Sequence, residues 1–294
     1  MIIAIDIGGT KISAALIDNN KIIQSRKTDS IIHQDLNNLA NYVVHLCQDW
    51  IEKAHLVAVA CTGQVGKNHV HFLSAKQTLP LQQQLNTGFG LPVVILNDAA
   101  AAAWAEYCLG PKRQDNSLVY ITVSTGIGGG IIQNGQLVTA TDGFCAHLGH
   151  MSVTCHAAPT IQCHCGRINC VEAISSGTSI ARQASQILKT EVSCKTVFEQ
   201  YLAHPEIDTL LEQCTDAFVD LIANIKALTG TTVIVLGGSV GAAIPFKERV
   251  IAKIAKLPSI YQVELVSPMT GEHADLIGAT IYAQTINGFR NATQ

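Results

Sequence analysis

The stretch Ile121-Thr122-Val123-Ser124-Thr125-Gly126-Ile127-Gly128-Gly129-Gly130 decides how this chain is read, because Ile5-Asp6-Ile7-Gly8-Gly9-Thr10-Lys11 shares its design. Each is an apolar run that enters glycines and leaves as a second apolar run. Each then reaches a turn, Asp18-Asn19-Asn20 in the first copy and Asn134-Gly135 in the second. Asp6 aligns with Thr122, and Asp18 with Asn134 at the same offset. Glycines after a strand let backbone N–H groups approach an anion, and Asn and Gly suit the positive φ of tight hairpins. A tight turn explains one such loop. Matched copies predict two halves that grip one phosphate chain.

At 294 residues the chain exceeds the limit of about 250 at which single cores stop growing, so two domains with a cleft between them are expected. Hydrophobic residues at 48% against 14% charged supply enough apolar material for sheets on both sides of such a cleft. The net charge of −3, without a run of Lys or Arg, argues against a nucleic-acid surface, which needs clustered cations. Met1-Ile2-Ile3-Ala4-Ile5-Asp6 has no basic segment and meets an acid at once, unlike a secretion signal. No stretch approaches eighteen uninterrupted apolar residues, so no membrane partner is expected and the reading is cytoplasmic.

Residues 2 to 7, 11 to 17 and 21 to 26 read as a three-stranded meander, followed by an amphipathic helix over 34 to 52 and short buried strands at 56 to 60 and 93 to 96. An alanine-rich helix runs from 99 to 107, just after Asn97-Asp98. The second half repeats the order from 118, with helical patterns over 171 to 188, 195 to 203, 206 to 228 and 242 to 256. Strands are expected at 232 to 236 and 261 to 266, and a last helix at 272 to 287. The expected domains are 1–117, joined by 272–294, and 118–271. This is an α/β architecture with its ligand at strand carboxyl ends.

The Asp6-to-Lys11 opening, Leu96-Asn97-Asp98-Ala99, Ser124 to Gly130, the Cys163 to Glu172 cluster and Leu236-Gly237-Gly238-Ser239 come in the order of one family and span almost the whole chain. They resemble the sugar-kinase branch of the ROK (repressor, open reading frame, kinase) family. The resemblance implies a hexokinase/actin-like (ribonuclease H-like) duplicated two-lobe α/β fold with ATP in the interlobe cleft, and a homodimer joined through the second lobe. A repressor of that family would need a DNA-binding segment ahead of a glycine loop that here starts at Gly8.

Phosphoryl transfer to a sugar hydroxyl needs positioning, charge neutralisation and a base. Asp6, Gly8 and Gly9 are placed to meet the nucleotide, Asp6 orienting Mg²⁺ through its water shell and Thr10 or Lys11 meeting phosphate. Ser124, Thr125, Gly126, Gly128 and Gly129 face it from the second half, Thr125 and Gly126 at the β- and γ-phosphates. Gly237-Gly238 lets the adenosine approach the backbone. Asp98, between a buried strand and a helix, is the candidate general base for the sugar 6-hydroxyl, and a helix cap is its alternative role. Asn97 holds neighbouring hydroxyls, and Gly63 lies in the expected sugar-facing turn Thr62-Gly63. The segment Phe72-Leu73-Ser74-Ala75-Lys76-Gln77-Thr78-Leu79-Pro80-Leu81 lacks the asparagines that relatives carry in their substrate loop. Ser74, Lys76 and Gln77 are the polar substitutes available there.

Five of the ten cysteines fall between 145 and 170. Cys163-x-Cys165-x₄-Cys170 with His150 reads as a closed Cys₃His structural Zn²⁺ site, and ordinary buried thiols are the alternative. Cys145, Cys155, His156 and His164 are further candidate ligands. Asn169 stands where the family carries glycine, a place for left-handed backbone. The resemblance implies that His150 meets zinc through one nitrogen and a sugar hydroxyl through the other, with Glu172 accepting further hydroxyls. The resemblance places His147 where glucose-directed relatives carry glutamate, which favours an N-acetylhexosamine over glucose, and a satisfied loop histidine is its alternative role.

Overall fold

The structure is a computed structural model, and it describes residues 1–111, 116–154 and 160–292. Its first part runs β1 (Ile2–Ile7), β2 (Lys11–Asp18), β3 (Lys21–Asp29), α1 (Leu39–Leu46), β4 (Leu56–Cys61), β5 (Gln64–Val65), β6 (Val70–Phe72), β7 (Gln77–Leu79), α2 (Leu81–Phe89), β8 (Val93–Asn97) and α3 (Asp98–Leu109). Then follow β9 (Leu118–Val123), β10 (Ile127–Gln133), β11 (Gln136–Leu137), α4 (Val171–Ser175), α5 (Gly177–Leu188), α6 (Cys194–Gln200), α7 (Pro205–Thr229), β12 (Val233–Gly237), α8 (Ile244–Ile254), β13 (Glu264–Val266) and α9 (Ala274–Ala292).

The chain divides into two compact units, Met1–Lys112 with Gln136–Cys145 and Met269–Gln294, and Arg113–Gly135 with Ala146–Pro268. Residues 136–145, expected with the second half, pack with the first because its β5 turn holds them. Gln64 Nε2 donates to the Asp142 carbonyl at 2.8 Å and the Lys67 amide to that of Thr141 at 3.0 Å.

The duplication read from the glycine loops is a duplication of topology. In the first unit the sheet order is β3-β2-β1-β4-β8, with β2 antiparallel to β1 and β4 and β8 parallel to it. In the second unit β10 pairs antiparallel with β9, and β12 and β13 continue the sheet in parallel. The hairpin turns match as well. Asn19 and Asn20 have φ of 48° and 60°, and Asn134 and Gly135 have 52° and 77°, the backbone of a two-residue hairpin with both centres at positive φ.

Strand β1 is buried on both faces, as a parallel neighbour with helices on each side requires. Ile3, Ile5 and Ile7 join a core with Leu39, Val43, Leu81 and Leu85, whereas Ala4 packs with Leu276 of α9. Alternation therefore puts Asp6 on the α9 side of the sheet. The alanines of α3 are explained by α9. A Cβ on Gly278 would stand 1.8 Å from the Ala101 carbonyl oxygen, so the two helices approach backbone to backbone where only small residues fit.

Two expected helices are interrupted. The 34–52 pattern becomes a 3₁₀ turn at Leu36–Asn38, α1, and a second 3₁₀ stretch at Gln48–Lys53. That break turns Trp50 inward, where its Nε1 donates to Gln24 Oε1 at 2.7 Å and the Arg26 guanidinium lies 4.2 Å over its ring. The 171–188 pattern splits at Ser176, whose backbone is extended and whose hydroxyl caps α5 by accepting from the Ser179 amide. The β5–β6–β7 meander and α2, whose Leu81, Leu85 and Phe89 line its buried face, are not among the expected elements and form one edge of the first core.

Glu106 of α3 is buried and pins the segment leading into α9. Its carboxylate accepts the amides of Met269 at 2.9 and 3.0 Å and of Thr270 at 2.8 Å, together with the Thr270 hydroxyl. Glu106→Ala strands those donors, and hydrogen bonds to a charged group are worth about 1.5–3 kcal/mol. A loss of about 3 kcal/mol in urea unfolding is expected. A loss under about 0.5 kcal/mol, the ordinary surface value, contradicts the anchoring role.

Candidate active site

In the first unit the parallel register brings the predicted residues to one edge of the sheet. Ile7 pairs with Cys61 and Cys61 with Asn97, so the residues at the carboxyl ends of β1, β4 and β8 emerge together. These are Gly8 and Gly9, Thr62 and Gly63, and Asn97 and Asp98. Gly63 has φ of 96°, and a Cβ there would sit 2.6 Å from the His71 carbonyl oxygen, so the turn admits glycine alone. Asn97 Nδ2 donates to the Gly63 carbonyl at 3.1 Å, and Asn97 Oδ1 accepts the Ala100 amide at 3.2 Å. Asn97 is thus the helix cap of α3. Asp98 is the first residue inside the helix, and its Oδ1 accepts the Ala99 amide at 2.8 Å. Thr10 is exposed and its carbonyl receives the Ser30 amide at 3.0 Å, while the Lys11 ammonium pairs with Asp29 across β2–β3. Ser74, Lys76 and Gln77 are exposed at the β6–β7 turn.

Asp6 lies beside Asp275 in the first turn of α9, a neighbour that no sequence spacing announces. Burial, then the charges of Asp275 and Asp98, push the Asp6 carboxyl from 3.8 up to about 9. Burial likewise raises Asp275. In the folded chain Asp6 thus keeps its proton through a window in which the unfolded chain has lost it. Stability is full below 3.8 and declines as pH rises toward about 9. The urea midpoint of metal-free protein is expected to fall between pH 5 and 8.5, and Asp6→Asn to flatten that slope. Equal slopes in the two proteins contradict it. An all-oxygen carboxylate group held in mutual repulsion is also chemically suited to Mg²⁺, whose charge relieves it.

In the second unit Ser124, Thr125 and Gly126 form the turn between β9 and β10, closed by the Ser124 amide donating to the Gly126 carbonyl at 2.9 Å. The turn after β12 lies against it. Gly238 has φ of 83°, with a would-be Cβ 2.2 Å from the Val123 carbonyl, which receives the amides of Val240 and Gly241 at 2.9 and 3.1 Å. Ser124 Oγ and Ser239 Oγ stand 3.4 Å apart. Gly237 packs on the Tyr120 hydroxyl, Gly128 pairs with Thr122, and Gly129 faces Leu148. The structure thus joins the two glycine segments of this unit, which are separated by over a hundred residues in the chain.

The metal reading meets a matching arrangement. Donor atoms of His150, Cys163, Cys165 and Cys170 all lie within 4.8 Å of one another. His150 Nδ1 is 3.6 Å from Cys163 Sγ, and Cys165 Sγ is 3.6 Å from Cys170 Sγ. Zn–S bonds of about 2.3 Å in a tetrahedron give ligand separations of about 3.8 Å, so these atoms fit zinc as they stand. Burial lowers the His150 pKa, which favours the neutral ring a metal requires. Asn169 takes φ of 53°, the left-handed backbone expected of it. Arg167, which the sequence reading passed over, donates to the His150 carbonyl at 2.9 Å and to Ser152 Oγ at 3.0 Å, tying the ends of the metal hairpin together.

Among the alternative ligands, His164 turns toward Glu172, its Nε2 3.5 Å from Glu172 Oε1. His150, His164 and Glu172 form a second group of mutually close donors, and Cys145 belongs to neither group among the described residues. Cys155 and His156 lie outside the described residues. His147 precedes the 3₁₀ turn Leu148–His150, its ring stacked 6.3 Å from that of His150.

Two sheets of one topology, each with a glycine turn at the carboxyl end of its first strand, define the hexokinase/actin-like class of two-lobe α/β folds. The chain belongs to the ROK family, which matches residues 2–286. Among curated proteins it is 38% identical to the N-acetylmannosamine kinase of Salmonella typhi over 96% of this chain and 98% of that protein. Among solved structures it resembles the ROK hexokinase of Thermus thermophilus, with a TM-score of 0.81 at 24% identity over 97% of this chain and 99% of that one. A ROK glucokinase of Streptomyces griseus, solved with glucose and AMPPNP, gives a TM-score of 0.78 at 24% identity over the same shares.

Proposed function

We propose that this chain is an ATP-dependent sugar kinase that phosphorylates N-acetylmannosamine at its 6-hydroxyl, a step of sialic acid catabolism. The observation that carries it is the division of labour at the start of α3. Asn97 supplies the cap and donates to Gly63, so capping does not account for the carboxylate at Asp98, which follows β8 at its carboxyl end and is near enough to Asp6 to raise its pKa. In this reading Asp98 takes the proton of the 6-hydroxyl as its oxygen attacks the γ-phosphorus and ADP departs. Asn97, Gly63, His147, His150 and Glu172 bind the sugar. Gly8, Gly9, Thr10 and Lys11, the Ser124–Gly126 turn with Gly128 and Gly129, and Gly237-Gly238 bind the nucleotide.

Asp6 would hold Mg²⁺, which when bound neutralises charge on the β- and γ-phosphates. Zinc would be structural, since four protein ligands leave no open position for water. The sugar assignment rests on the Salmonella relative and on His147. A second reading, a kinase for another hexose or hexosamine, is favoured by the exposed β6–β7 turn without asparagines.

A coupled ADP-release assay with N-acetylmannosamine, glucose, N-acetylglucosamine and fructose separates these readings, with N-acetylmannosamine expected to give the highest kcat/KM. Preference for another sugar selects the second reading. No ADP release with any sugar from zinc-loaded protein makes the chain a sugar sensor instead. The proposal carries with it a cytoplasmic location and a homodimer, the latter checked by sedimentation.

A further inference from the structure

The Ser124–Ile127 turn is held from one side by the segment that carries Glu172. The Ser124 carbonyl receives the Gly177 amide at 2.7 Å, and the Thr125 carbonyl that of Thr178 at 3.2 Å. A Cβ on Gly177 would stand 2.7 Å from Ser124 O, so it is the absence of a side chain at the first residue of α5 that lets its first turn dock there. The remaining tie is a side chain. Glu172 Oε2 accepts the Ile127 amide at 2.8 Å, and a Cβ on Gly126 would lie 2.6 Å from that oxygen. With Ser124 N–H and Ile127 N–H engaged inward, the amides of Thr125 and Gly126 have no protein acceptor among the described residues. These are the donors a phosphate would use.

A carboxylate this close to a phosphate-facing turn repels the ligand, so its place there calls for a compensating structural task. We infer that Glu172 is a positioning residue of the nucleotide turn as well as a sugar ligand, holding Ile127 N–H inward so that the Thr125 and Gly126 amides face the phosphates. The inference rests on the kinase reading and adds a coupling to it: one carboxylate serves both substrates, so a change on either side is felt on the other.

The test is calorimetric titration of full-length, metal-replete protein with Mg·ADP in the absence of sugar. Glu172→Ala is expected to weaken ADP binding about tenfold, the scale of one hydrogen bond to a charged group. Glu172→Gln keeps an acceptor oxygen for Ile127 N–H and is expected to stay within about threefold of the parent, a rescue that a role confined to the sugar does not produce. Equal affinity in the parent and Glu172→Ala overturns the inference and leaves the kinase reading standing. No ADP binding by the parent overturns both.

Should Glu172→Ala fail to fold, Gly126→Ala provides the second measurement, because its methyl would displace the Glu172 carboxylate. N-acetylmannosamine, titrated into nucleotide-free protein, is then expected to bind at least severalfold more weakly, although the substitution lies in the nucleotide turn. An unchanged sugar affinity in Gly126→Ala overturns the coupling.

Discussion

Asp98→Asn is expected to lower kcat by about 10²–10⁴-fold, the range a positioned general base contributes, while leaving ADP affinity unchanged. The amide has the shape of the carboxylate, and its oxygen can still accept the Ala99 amide that Asp98 Oδ1 accepts at 2.8 Å. The cap of α3 is untouched because Asn97 provides it. A thermal midpoint within about 2 °C of the parent is therefore expected. What the variant lacks is an oxygen basic enough to take the hydroxyl proton. Loss of one negative charge should also ease Asp6, whose raised pKa is partly due to Asp98. Retention of most of the turnover removes Asp98 from the role of base.

Removal of the metal is expected to have the largest effect on stability. The parent should carry one zinc per chain by atomic absorption, and Cys163→Ser or exhaustive chelation should bring the content to zero. Metal present at about a thousandfold its dissociation constant contributes about 4 kcal/mol, and at roughly 2–4 °C per kcal/mol the midpoint should fall by about 10 °C. Burial pushes the Cys170 thiol up to about 12, so binding must expel protons and affinity should rise with pH. Sugar binding should fall with the metal, since His150 and Glu172 sit at the two ends of the segment it closes. A parent protein without zinc, or a chelated one that melts unchanged, rules out a structural metal.

The glycine loops, their turns and the order of elements were legible because each is local. Asn19, Asn20, Asn134 and Gly135 announce positive φ by residue type, and the cysteine spacing announces a cluster of donors by proximity in the chain. The cap at Asn97 and the helix break at Ser176 were less legible. Ser, Asn and Asp all suit a cap, and only the partner amides decide which one serves. Arg167 was overlooked because a basic residue between ligands reads as solvated until its two acceptors are known.

From the sequence alone came the duplicated α/β design, the strand-end position of Asp6, Gly63 and Asp98, and the donor set of the metal hairpin. All of these follow from periodicities and short-range backbone preferences. Tertiary structure alone decided that Asp275 raises Asp6, that Glu106 anchors the return to α9, that residues 136–145 pack with the first unit, and that Glu172 grips the Ile127 amide. The physical reason is that such pairings join residues up to 269 positions apart. Burial and hydrogen-bond geometry there depend on how sheets and helices pack, which no local pattern encodes.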